Sequence, residues 1–245
     1  MPTDTLVARF LRELSALKPL SVWAHGSLAG GDYQEGRSDL DLIAVLPGRV
    51  GPRQAWQVAV AHHRLRAEPL AGKLHCSYLT PHTLAGPDRS HLTWAHGGLT
   101  RRPVTPVTRR ELHDFGLVLH GEAPTGLLPP VTGRQLRDFV VRDQRDFWRP
   151  AVRRRRQWRQ DAWVDLGLLT FARATVTLRD GRLVSKRQAL AELSALGAPE
   201  EVVADIARRR YEDPAPADGA WLVRRAELTR AYLGPAIDAL VTAYG

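Results

Sequence analysis

The chain has 245 residues, 44% of them apolar and 25% charged, the balance of a soluble globular protein with material for one large domain or two small ones. A formal charge of +9 and a pI near 10.5 favour anionic partners such as nucleotides, nucleic acid or acidic metabolites, although an arginine- and alanine-rich chain also follows simply from a GC-rich genome. With Cys76 as the only cysteine, an intrachain disulfide is excluded; no apolar stretch approaches the ~20 residues that cross a bilayer, and Met1 to Leu6 lack signal-peptide features, so the cytoplasm is expected.

Residues 4–17 place Leu6, Val7, Phe10, Leu11, Leu14 and Leu17 at helical spacing, ended by Pro19. An apolar run from Leu20 to His25 predicts a strand that stops at Gly26-Ser27. A polar loop follows, and Asp39-Leu40-Asp41 opens a second strand through Leu46. Side chains alternate along a strand, so Asp39 and Asp41 share one face while Leu40 and Leu42 face the core. Two carboxylates two residues apart form a hard-oxygen site suited to Mg²⁺. Gly26 permits a close turn, and Ser27 offers a hydroxyl and a backbone N–H to a phosphate. A lone Asp-x-Asp pair would be an ordinary hairpin with exposed acids. The whole order, strand, Gly-Ser, short loop and Asp-x-Asp, resembles the signature of the DNA polymerase β-like nucleotidyltransferases. That resemblance implies that Gly26, Ser27 and Ser38 bind a nucleoside triphosphate and that Asp39 and Asp41 are catalytic metal ligands.

Pro47-Gly48 makes a turn, Pro52 opens a helix to about Glu68, and Leu74 to Leu79 predicts a third strand. The superfamily usually carries a third carboxylate on this strand, but here it reads Lys73-Leu74-His75-Cys76-Ser77-Tyr78-Leu79. His75 aligns with the missing acid and Ser77 is its same-face neighbour. A neutral imidazole can accept a proton from an attacking hydroxyl; equally, His75 is a structural histidine, or Asp88 or Glu111 supplies the acid. Pro81 to Val107 reads as irregular. His75, His82, His91 and His96 do not fit one helix face, which disfavours zinc, and Trp94 with His96 is expected to line an acceptor pocket. Thr108 with Glu111 reads as a capping box. Pro124, Gly126, Pro129, Pro130 and Gly133 mark the clearest boundary, giving expected domains of 1–125 and 131–245.

Beyond the boundary the periodicity is helical. Leu136, Phe139, Val140, Phe147 and Trp148 mark one helix closed by Pro150; further helices run from Trp163 to Leu178, from Ser185, from Pro199 to Tyr211 and from Trp221 to Tyr244. The stretch Leu169-Thr170-Phe171-Ala172-Arg173, the turn Asp180-Gly181-Arg182 and Ser185-Lys186 resemble the C-terminal helical domain of the aminoglycoside adenylyltransferases that modify streptomycin and spectinomycin. The resemblance implies that Arg173, Lys186 and Tyr211 contact ATP. The chain departs from that family at the acceptor, because Arg153 to Arg156 would repel a polycation, although Asp161, Asp165, Trp158 and Trp163 offer a local binding surface.

These readings predict an α+β fold: an N-terminal nucleotidyltransferase domain with a mixed sheet flanked by helices, then a C-terminal helical bundle. The expected activity is Mg²⁺-dependent transfer of AMP from ATP to a hydroxyl of a small-molecule acceptor, by a monomer with no membrane partner. A catalytically silent nucleotide-binding protein is the alternative, since the third acid is missing. An RNA-binding or RNA-modifying protein, suggested by the arginine clusters, ranks last because no RNA-binding module is recognisable.

Overall fold

The computed structural model describes residues 1–86, 89–213 and 216–245. The chain divides into two units, Met1–Val131 and Thr132–Gly245.

The first unit is built on a six-stranded mixed sheet. Its strands are β1 (Ser21–Ala24), β2 (Leu40–Val45), β3 (Leu74–Leu79), β4 (Ser90–Ala95), β5 (Gly98–Pro103) and β6 (Leu117–Gly121), in the spatial order β5-β4-β3-β2-β1-β6. Only β2 and β3 run parallel, and their connection is the helix α3 (Pro52–Arg64); every other pair is antiparallel. Helices α1 (Pro2–Leu14) and α3 cover one face, where Leu6, Phe10 and Leu14 pack with Val22, Leu40, Leu42, Ala44 and Val58 in a single cluster. Strand alternation sends Trp23, Ile43, Val45 and Leu79 to the opposite face. There they meet Leu112 of α4 (Pro106–Phe115) and Leu128, just past the short α5 (Pro124–Leu127).

This second face has two ends of different character. Towards the finish of β2 and β3 it is apolar, with Val45 and Leu79 fully buried; towards their start it carries Asp41, His75 and Ser77. A turn of four residues, α2 (Gly26–Ala29), leads out of β1 at this polar end.

Two sequence expectations are corrected here. The stretch read as irregular is a β4–β5 hairpin whose two-residue loop, His96-Gly97, has φ of +52° and +75°. Both values being positive is the geometry that matches the twist of a two-residue hairpin, and Gly97 supplies it without a Cβ penalty. Helix α4 is capped by Thr105, whose side chain accepts from the Thr108 backbone N–H, with Pro106 in the first helical position. Thr108 is therefore inside the helix, and Glu111 turns towards the sheet.

The second unit is helical: α6 (Gly133–Asp143), α7 (Arg149–Ala151), α8 (Asp161–Asp180), α9 (Lys186–Ala195), α10 (Glu200–Tyr211) and α11 (Gly219–Tyr244). A π-helical turn, Gln144–Trp148, joins α6 to α7, so Pro150 lies inside this run instead of closing it. No described helix is long and apolar enough to cross a membrane. Trp158 is wholly buried, its Nε1 donates to the Ala151 carbonyl, and it belongs to the core, which corrects its assignment to a binding surface. Arg225 is also wholly buried and donates to Asp205 at 2.8 Å and Asp161 at 2.5 Å, while Arg209 pairs with Asp165 and Asp205. Trp221 Nε1 completes the network by donating to Asp205 at 3.1 Å. Arginine forks satisfy several carboxylate oxygens at once, which is what makes burial of such charge tolerable.

Gly167 on α8 gives Trp158 its room: a Cβ there would lie 2.5 Å from the indole ring. Alanine would gain about 1 kcal/mol of helix propensity but would overpack a rigid ring, at a cost of about 1–3 kcal/mol. Gly167→Ala is expected to lower stability by up to about 2 kcal/mol, read from the chemical-denaturation midpoint.

Candidate functional site

The polar end of the second face gathers groups from four segments. In the parallel β2–β3 pairing Asp41 stands opposite His75, with His75 Nδ1 3.6 Å from Asp41 Oδ1. Asp39, immediately before β2, lies 3.7 Å from Lys73 Nζ; both carboxylates are partly exposed. Ser77 Oγ shares a 2.9 Å hydrogen bond with Thr93 of β4. His25, at the end of β1, donates its backbone N–H to the Asp41 carbonyl at 3.0 Å. Asp41, His25, His75, Ser77, Thr93 and Arg102 help to line a cleft of about 170 Å³.

The Gly-Ser turn lies directly over the aspartate. A Cβ at Gly26 would stand 2.9 Å from Asp41 Oδ2, and Gly26 has a φ of +64°, so the position suits glycine for two separate reasons. The turn closes with Gly30 N–H donating to the Gly26 carbonyl and Asp32 N–H to that of Ser27. The loop that returns to β2 is pinned to the start of α1 by Thr3, which donates to Glu35 at 2.7 Å. Ser38 is buried, and its hydroxyl accepts from the Gln34 backbone N–H at 3.1 Å, so it shapes the loop before Asp39.

Glu111 enters from α4. It is buried, with one carboxylate oxygen 3.3 Å from His25 Nδ1. Burial by itself would push the His25 imidazole down; the hydrogen bond to Glu111 and the charges of Asp41 and Glu111 outweigh it, and the pKa is raised above the ordinary histidine value. Neither His25 nor its pairing with Glu111 stands out from the local sequence, because the partners are 86 positions apart. The one available signal is that His25 ends a strand immediately before Gly-Ser. Asp88, the other acid expected to approach, lies outside the described residues.

His75 Nε2 is buried and has no hydrogen-bond partner among the described residues, and its ring meets that of His96 edge-on at 4.7 Å between centroids. The hairpin tip thus brings His96 to the polar end. Trp94 is placed elsewhere: strand alternation turns it to the α1–α3 face, where it stacks on His62 at 4.6 Å. Its expected place beside His96 in an acceptor pocket is corrected accordingly. Among the described residues no three His, Cys, Asp or Glu side chains cluster as a self-sufficient metal site. Asp41 lines the cleft, whereas Asp39, two positions earlier, is placed beside Lys73; carboxylates are the donor type that suits a hard cation taking the rest of its ligands from substrate and water.

In the second unit, Arg173 on α8 donates through Nε to the Val184 carbonyl at 2.9 Å, next to the Ser185 cap that starts α9 at Lys186. Arg187 lies over the ring of Tyr211, the last residue of α10, at 4.0 Å. These two contacts bring the segments carrying Arg173, Lys186 and Tyr211 together. Arg153 to Arg156 are all exposed, while Asp161 and Asp165 are engaged by Arg225 and Arg209.

Comparison with known proteins accords with this geometry. Residues 6–73 match the nucleotidyltransferase domain family, a span that includes the Gly-Ser turn and both aspartates. The crystal structure of spectinomycin adenyltransferase AAD(9) from Enterococcus faecialis, with ATP and spectinomycin, superposes with a TM-score of 0.73 at 14% identity, over 96% of this chain and 98% of that one. No curated protein matches the sequence. Residues 6–73 thus match a nucleotidyltransferase domain, in a chain whose α+β fold resembles that of the adenyltransferase it superposes on.

Proposed function

We propose that the chain transfers AMP from ATP to a hydroxyl of a small molecule, with Mg²⁺, and that the acceptor is neutral or anionic. The observation that supports this reading is the packing of Gly26 against Asp41 Oδ2, which sets the turn assigned here to phosphate beside the carboxylate assigned to the cation. Mg²⁺ held by Asp39 and Asp41 would neutralise charge on the phosphate oxygens. Gly26 and Ser27 offer backbone and hydroxyl donors to the triphosphate, and Arg173, Lys186 and Tyr211 are assigned to the nucleotide. The acceptor oxygen bonds to the α-phosphorus, the bond to pyrophosphate breaks, and His75 takes the hydroxyl proton. Its Nε2, which has no hydrogen-bond partner among the described residues, and its place across from Asp41 support that role. Glu111 fixes the orientation of His25 beneath the turn.

The relative was solved with ATP and spectinomycin; the donor is carried over to this chain and the acceptor is not. Asp161 and Asp165, the acids that would attract a cationic acceptor, are held by arginines of their own unit. The four exposed arginines nearby add repulsion.

A panel of hydroxyl acceptors with labelled ATP and Mg²⁺ should show AMP transfer to neutral or phosphorylated compounds and none to aminoglycosides. Asp41→Asn is expected to reduce the rate by roughly a thousandfold with the fold intact by circular dichroism. ATP binding without pyrophosphate release across the whole panel would favour the silent nucleotide-binding alternative. For the imidazole beneath the turn, Glu111→Gln removes the bond that raises its pKa. An NMR titration in EDTA should then show the His25 midpoint moving down relative to the parent chain.

A further inference from the structure

A second cleft lies at the far end of the same strands. It is larger, about 390 Å³, and is formed where the chain leaves β2 and β3 and enters β4, with Arg49, Thr80, Arg89, His91, Leu92 and Arg101 among its lining residues. Its volume is within the range of small-molecule pockets, and no carboxylate is among its described lining residues. Arg49, Arg89 and Arg101 reach it from three separate segments, and none of the three forms an ion pair among the described residues.

Two of the three groups are held in place. The stem of Arg89 lies against Gly86, whose carbonyl accepts from the buried Arg109, and Arg101 donates to the Ser90 carbonyl. His91 is 3% exposed, and its Nε2 has no hydrogen-bond partner among the described residues. Burial, then the charges of Arg109, Arg101 and Arg89, push its pKa down to about 4, in keeping with arginines on this side of the strand. Like charges gathered in a concavity are unfavourable until an anion enters, and guanidinium forks match phosphate oxygens.

We propose that this cleft is an anion-binding site for a small phosphate-bearing molecule, separate from the polar end that carries Asp39 and Asp41. Arg89 and Arg101 would grip the phosphate, with Arg49 closing the third side.

The test is isothermal titration of the full chain in EDTA with inorganic phosphate, pyrophosphate and ribose 5-phosphate. Saturable binding is expected, with one equivalent weakened about tenfold by Arg89→Gln or Arg101→Gln and unchanged by Arg155→Gln, an exposed arginine of the second unit; any second equivalent of pyrophosphate belongs to the Gly26-Ser27 turn and is indifferent to all three substitutions. Tighter binding of pyrophosphate would identify the ligand class as an oligophosphate, and tighter binding of ribose 5-phosphate would identify a phosphomonoester. The His91 ring should also titrate at higher pH when the site is filled. Binding that never saturates, binding indifferent to Arg89 and Arg101, or an equal loss in all three variants would overturn the proposal. All three substitutions fall on exposed side chains, so folding is not at stake.

Discussion

The register between β2 and β3 is the constraint on which the first unit depends. Because the two strands run parallel with Asp41 opposite His75, every odd position from Asp41 to Val45 faces α4, and every even one faces α1 and α3. A slip of one residue would send Asp41 into the cluster around Phe10 and bring Leu42 to the cleft. Burial of a carboxylate among apolar side chains is costly enough to forbid that alternative. The same apolar packing that stabilises the sheet therefore fixes where the acid stands.

Around that register the other groups are placed by connections of very different length. The Gly-Ser turn follows β1 directly and reaches Asp41 through local geometry. His96 arrives by a two-residue hairpin loop, and Glu111 comes from a helix on the far side of the hairpin. In the second unit the principal constraint is electrostatic: Arg209 and Arg225 draw α8, α10 and α11 around Asp161, Asp165 and Asp205.

The strands carrying Asp41 and His75 were legible because alternation of apolar and polar residues between turn residues is a local signal. The α+β class followed from the change of periodicity after Pro130. The β4–β5 hairpin was not legible, although His96-Gly97-Gly98 lay in view: a non-glycine residue at positive φ is uncommon, and the exposed edge strand β5 lacks an apolar stripe. Thr108 with Glu111 satisfied the pattern of a capping box, yet the adjacent Thr105-Pro106 offered a competing start, and Glu111 was drawn to His25 instead. Trp158 and Trp163 were read as one surface because aromatic spacing says nothing about which ring the core absorbs. Gly167, nine residues further on, settles it for Trp158.

The division of the second sheet face into an apolar end and a polar end separates two selective pressures. Cohesion resides with Val45, Leu79 and Leu112, whereas Asp39, His75 and Ser77 contribute little to it and crowd unlike charges and half-satisfied polar atoms together. Substitutions at this rim can consequently accumulate without unravelling the scaffold beneath. A protein so arranged can change what it makes long before it forgets how to fold.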